Sequence, residues 1–258
     1  MKKIGKFGGF PLYAAAEGKV SPVKHILHRL MAGPRRGVLD SVPLALAWRY
    51  GTHSLMVLIN FLNEPVAAPT LHDRILSVTP FIPIIAKTNY HLWLLCYVPV
   101  ALWLWYENRA KFVEFLYVGG VVSLLRALCI WLTILGPVNG RDVNAGRPWS
   151  EMLAGWFQIV NPFSAVTTDA MQVYLTKDLF FSGHTASTFL LLLYCWKYPR
   201  IRPFAIAGHV IVVASVFFSH LHYSIDVVGG WAIAFCAYAA AEKFFGRPDA
   251  SKPVAHSK

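Results

Sequence analysis

From Pro203 to Ala241 the chain runs 39 residues without a Lys, Arg or Glu, and Asp226 is the single acidic residue in that stretch. As one helix rising 1.5 Å per residue it would reach roughly 58 Å, nearly twice the ~30 Å hydrocarbon core of a bilayer. Two apolar helices joined by a tight turn near Ser219–His222 fit it better. Four more apolar runs, at 42–62, 89–106, 115–136 and 179–196, join the pair at 203–219 and 222–242 to give six. Composition agrees: 56% of residues are hydrophobic and 14% charged, whereas soluble domains are roughly a quarter charged.

The net charge of +11 raises the question of nucleic acid. The basic residues fall in short loops between apolar runs, a pattern that orients a membrane protein and does not line up on a polyanion. One set of alternate loops, with the two termini, holds 17 Lys and Arg and the other set holds 5, while Arg49 and Arg126 lie inside spans. That bias predicts an all-α integral membrane protein, with six transmembrane helices in a bundle and both termini cytoplasmic. Residues 1–41 read as a cytoplasmic basic segment in which VKHILHRLMAG fits either an amphipathic surface helix or a disordered basic tail, 42–242 as the six-span catalytic domain, and 243–258 as a cytoplasmic basic tail. Residues 1–36 are broken by Gly and Pro and lack the apolar core of a cleavable signal. Residues 137–178 form the long external segment, where WSEMLAGWFQIV reads as an interfacial helix. Cys96, Cys129, Cys195 and Cys236 have no paired spacing and read as buried thiols. Arg49 lies near enough to the cytoplasmic end of its span to snorkel there.

Ionisable residues at membrane depth are costly and therefore mark function. The predicted orientation puts His184, His222, Asp226 and the outer half of the span carrying Arg126 at one external level. His222 and Asp226, four apart, would share a helix face, where the carboxylate takes one ring proton and leaves the other nitrogen to attack. In FFSGHTAST, Ser182 and Gly183 stand at a helix N-terminus, where a close backbone and unpaired amides suit an anion. His184 beside them suits proton transfer near neutral pH, and the planar fork of Arg126 suits phosphate oxygens. Each feature alone is weak; a lone SGH or His-x-x-x-Asp is common. Together they make a phosphoryl-transfer set that calls for no metal and no other cofactor. His53, His91 and His209 read as packing or interface residues, and His220, two before His222, faces elsewhere. Asp178 also reads as a candidate helix cap. Two other classes compete: His184 and His222 ligating haem, which leaves Asp226 and Arg126 without a place, and a lipid scramblase lined by buried charge.

FFSGHTAST and SHLHYSIDVVGGW resemble the third and fourth motifs of the sphingomyelin synthases and related ceramide phosphotransferases, within the type 2 phosphatidic acid phosphatase superfamily. LLRALCIWLTILGPVNG resembles the second motif and APTLHDRI, more distantly, the first. The resemblance implies six spans and an external active site, with His222 as nucleophile, Asp226 as its partner and His184 as acid–base. It also implies that Asp178 supports His184 and that the long external loop supplies a further acid, for which Glu151 is the match. The phosphatase branch differs: it has Arg where this chain has Val216, Pro where it has Phe181, and a first motif that GRDVNAGRP does not meet. The implied reaction moves a phosphorylated head group from a phospholipid donor to a lipid-alcohol acceptor such as ceramide, through a phosphohistidine. Hydrolysis by the same site is the alternative. The expected partners are those two lipids and the membrane, without nucleic acid; a homo-oligomer is compatible with the sequence.

Overall fold

A computed structural model describes residues 41–245, apart from 139, 141, 162 and 164–174. The expected N-terminal surface helix and residues 246–258 of the expected basic tail lie outside the described residues, while 243–245 continue the last helix. The described chain is helical: α1 Val42–Asn63, a 3-10 turn at Leu76–Val78, α2 Pro83–Glu107, α3 Arg109–Thr133, α4 Trp149–Val160, α5 Gly183–Cys195, α6 Arg202–Phe218 and α7 Ser224–Phe245.

Local chemistry sets these bounds. Ser41 caps α1, its Oγ accepting the Leu44 amide at 3.4 Å. Asn108 closes α2 with its own amide on the Leu104 carbonyl (2.8 Å) and opens α3 by accepting the Lys111 amide on its side chain (3.0 Å). A single residue therefore turns the chain between two long helices. Pro203 stands in the first turn of α6, where a missing amide costs nothing. The turn expected near 219–222 is present: α6 stops at Phe218, α7 starts at Ser224, and His220 takes a left-handed φ of +48° between them.

Among the described helices, α3 and α7 are long and apolar enough to cross a membrane, and α6 is a shorter apolar helix. The fourth expected span begins later than its apolar run. Its helix, α5, has 13 residues, about 20 Å of rise, because residues 179–182 approach it without helical structure. α3 and α5 form the centre: α3 packs on α1, α2, α5 and α7, and α5 on α2, α3, α6 and α7. The sequence WSEMLAGWFQIV forms α4, which packs on α1.

Two sequence readings need correction. Arg49, expected to snorkel out of its span, instead turns to a neighbouring helix: its Nη1 donates to Ser123 Oγ on α3 at 3.0 Å. A partner inside the bundle outweighs the short reach to water. The four cysteines are unpaired, but only Cys195 is buried and Cys236 is exposed on α7.

The end of α1 carries a buried acid that the sequence reading passed over. Glu64 is fully buried, and its two carboxylate oxygens accept the amides of Thr176 (2.7 Å) and Lys177 (2.8 Å), the Asn144 side chain (2.6 Å) and the Thr176 hydroxyl (2.8 Å). Burial pushes the Glu64 carboxyl above the usual range, and the hydrogen bonds from Asn144, Lys177 and Thr176 oppose that rise. The ammonium of Lys177, also buried, meets Asp142 at 2.7 Å and donates to the Glu64 carbonyl. One carboxylate therefore fastens α1 to both described ends of the 137–178 segment. Glu64→Ala should strand these donors and lower stability by about 3–5 kcal/mol, as for breaking a buried charged network. Thermal unfolding of the detergent-solubilised protein measures it; an unchanged midpoint would contradict the role.

Candidate active site

The site is built where the segment Asp178–Ser182 enters α5. Ser182 caps that helix, its Oγ accepting the Thr185 amide at 3.3 Å, while its own amide donates to the Asp226 carbonyl of α7 at 2.9 Å. From α3, Arg126 reaches the same segment and is buried there. Its Nε donates to the Phe181 carbonyl (2.6 Å), its Nη2 to the Asp178 carbonyl (3.0 Å), and its Nη1 pairs with Asp178 Oδ1 (2.7 Å). Asn60 of α1 donates to the same Asp178 oxygen. Two helices thus hold Asp178, and its carboxylate is engaged by Asn60 and Arg126, while Ser182 is the cap of α5.

Gly183 has a reason of its own. A Cβ there would lie 3.1 Å from both Cζ and Nε of Arg126, so the missing side chain makes room for the guanidinium. Gly230 does the same on α7: a Cβ would sit 3.0 Å from the Ser182 carbonyl oxygen. The first turns of α5 and α7 can therefore approach closely.

His184 lies in the first turn of α5, its ring edge-on to Trp93 of α2 at 5.7 Å between centroids. Its Nε2 is buried and has no hydrogen-bond partner. Trp93 is itself held by an indole hydrogen bond to Ser187 at 3.0 Å.

His222 does not share a helix face with Asp226, contrary to the spacing argument. It stands two residues before α7. Asp226, the third residue of that helix, folds back so that its Oδ2 accepts the Tyr223 amide at 2.9 Å, half of a capping box. The same oxygen lies 3.3 Å from His222 Nδ1. That contact lacks the alignment of a hydrogen bond, and Asp226 Oδ1 is buried without a partner. Capping, and not helical periodicity, brings the carboxylate to the imidazole. Both residues are buried, and the His222 and His184 ring centroids are 6.5 Å apart.

The surrounding loops close over this pair. Tyr223 donates its hydroxyl to the Gly136 carbonyl and accepts the Leu71 amide, each at 3.0 Å. Asp73 accepts the amides of Ile75 (2.9 Å) and Leu76 (3.1 Å) in its own loop, and that of Ser224 at the start of α7. Burial alone would raise the Asp73 carboxyl, but the Ser224 and Leu76 amides hold it below the usual range. His220 points away, bonded to the Thr79 carbonyl at 3.0 Å and edge-on to Phe81.

The structure brings together His184, His222 and Asp226, with Ser182, Gly183, Arg126 and Asp178 beside them. Glu151 is not brought in: it is exposed in the first turn of α4. The buried acid that meets the 137–178 segment is Glu64, at the end of α1, marked in the sequence only by its place between an apolar run and Pro65.

No curated protein matches the chain. Residues 177–243, which carry Asp178, Ser182, Gly183, His184, His222 and Asp226, match the PAP2 superfamily C-terminal family, and this supports a place in the type 2 phosphatidic acid phosphatase superfamily.

Proposed function

We propose that this chain is a sphingomyelin-synthase-like lipid phosphotransferase that moves a phosphorylated head group from a phospholipid to a lipid alcohol through a phosphohistidine on His222. The family match supports phosphatase or phosphotransferase chemistry on lipids; transfer and the phosphohistidine are the finer reading. One observation carries it: two imidazoles meet at 6.5 Å, one with an unpartnered ring nitrogen and the other backed by a buried carboxylate.

In the first step the Nε2 lone pair of His222 attacks phosphorus, and the bond to the diacylglycerol oxygen breaks. His184, entering as the imidazolium, gives that oxygen its proton. The Asp226 carboxylate, 3.3 Å from His222 Nδ1, electrostatically favours the proton on that nitrogen, which leaves Nε2 bare, and balances the charged ring of the phosphohistidine. In the second step neutral His184 takes the proton of the acceptor hydroxyl, whose oxygen attacks phosphorus. The P–N bond breaks, its electron pair returns to Nε2, and both histidines are restored. The first-turn amides of α5 point toward a bound anion in any such helix end. Arg126 adds positive charge beside them. Its nitrogens are already bonded to Asp178 and Phe181, so its part is fixed charge more than a bidentate grip.

Two features favour transfer over hydrolysis. Val216 is a fully buried apolar residue where the phosphatase branch has a cation. The wall behind His222 is apolar too, with Tyr223 packed against Leu76 and Leu179 and against Phe217. Water has little to bond with there, while an acyl chain fits. Purified protein given head-group-labelled phospholipid with ceramide or diacylglycerol should move label into the acceptor lipid as the donor's diacylglycerol appears. Label released only as a water-soluble phosphate ester, at a rate indifferent to acceptor, would make the enzyme a hydrolase.

The six-span topology belongs to the same proposal, with both termini cytoplasmic and the site on the non-cytoplasmic face. Ala145 is exposed on the external segment, whereas its neighbour Asn144 is buried against Glu64. Ala145→Cys should react with an impermeant thiol reagent in intact cells, and Ser251→Cys only after lysis, both in a cysteine-free background. The reverse pattern would invert the topology.

A further inference from the structure

We propose that His209 is a positioning residue that fixes His184 through a one-way hydrogen-bond relay running across three helices. Its effect on turnover rests on the reading of His184 as the acid–base; the relay itself follows from donor and acceptor chemistry.

An indole N–H can only donate. The Trp231 Nε1 of α7 lies 2.9 Å from Nε2 of His209 on α6, so that ring nitrogen must be bare. A neutral imidazole then carries its proton on Nδ1, which lies 2.9 Å from Thr188 Oγ1 on α5. Because Thr188 receives that proton's hydrogen bond, its own hydroxyl hydrogen is free to donate. Its nearest acceptor is the His184 carbonyl at 2.9 Å, with Thr185 O farther at 3.3 Å. The series starts at a group that cannot accept and ends at one that cannot donate, so every link has a single direction.

Burial makes the relay consequential. His209 is 8% exposed and Thr188 4%, so a broken link is poorly repaired by water. Phe189 packs on the imidazole at 5.4 Å between centroids, tilted by 38°. The relay joins the first turn of α5 to α6 and α7. α7 also supplies Asp226, and the turn before it supplies His222. The separation of the two catalytic imidazoles therefore depends on His209, which touches neither ring. A protonated His209 has no lone pair for Trp231 and would break the first link.

The test uses the full chain in detergent with 15N-labelled histidine, the His209 signals being assigned by their loss in His209→Phe. The wild type should show His209 protonated at Nδ1 and bare at Nε2, and Trp231→Phe should release that constraint and move protonation toward Nε2. His209→Phe keeps the ring volume and should lower kcat about 10- to 100-fold, as for a slight displacement of a catalytic group, with KM within about twofold. A wild-type His209 protonated at Nε2 overturns the relay. So does full kcat in a folded His209→Phe. If His209→Phe fails to fold, Thr188→Val takes its place for assignment by shift and for kcat. If the wild type transfers no head group, the functional reading fails alone, and the tautomer still decides the relay.

Discussion

A guanidinium buried among apolar helices must be met by acceptors, and Arg126 is met by the segment that leads into α5. The cost of leaving such a charge unpaired is several kcal/mol, so the path of residues 178–182 is tied to α3. From the other side, the amide of Ser182 is tied to the Asp226 carbonyl on α7. His184 follows this doubly held segment directly. The placement of His184 thus begins with a charge that the chain has to satisfy, and Glu64 repeats the principle farther back along the same segment, which it holds at Thr176 and Lys177.

Asp226 shows how one carboxylate can serve fold and site together. Its Oδ2 caps the start of α7 through the Tyr223 amide and lies against His222 Nδ1. A residue in the turn before a helix and one in its first turn are brought together by the cap. Tyr223, between them in sequence, is buried and held by the loops at Leu71 and Gly136. Helix start, buried carboxylate and apolar wall are therefore one local structure.

Much of this was legible in the chain because it depends on short-range pattern. Apolar runs and their Pro, Gly and Asn punctuation located the helices, including α4 and the break between α6 and α7. His184, His222 and Asp226 stood out because charge is costly where they lie. What pattern could not reveal are partnerships between residues far apart in sequence. Glu64 and Lys177 are 113 positions apart, and Asn60 and Asp178 are 118 apart. Arg49 turned inward because Ser123 was there to receive it, and Asp178 served Arg126 because that cation had no nearer carboxylate. Glu151 failed as the loop's acid because the first turn of α4 faces outward, while Glu64 was hidden at the end of an apolar helix. His209 looked like packing since both of its partners come from other helices.

The central claim is that His222 carries the head group between two lipids. Rapid-quench reaction with head-group-labelled phospholipid, without acceptor, tests it most directly. The account predicts acid-labile, base-stable label on the peptide containing His222, formed in step with diacylglycerol and discharged when acceptor lipid is added. Label on another residue, or full turnover with no label on the protein at any time, would contradict it.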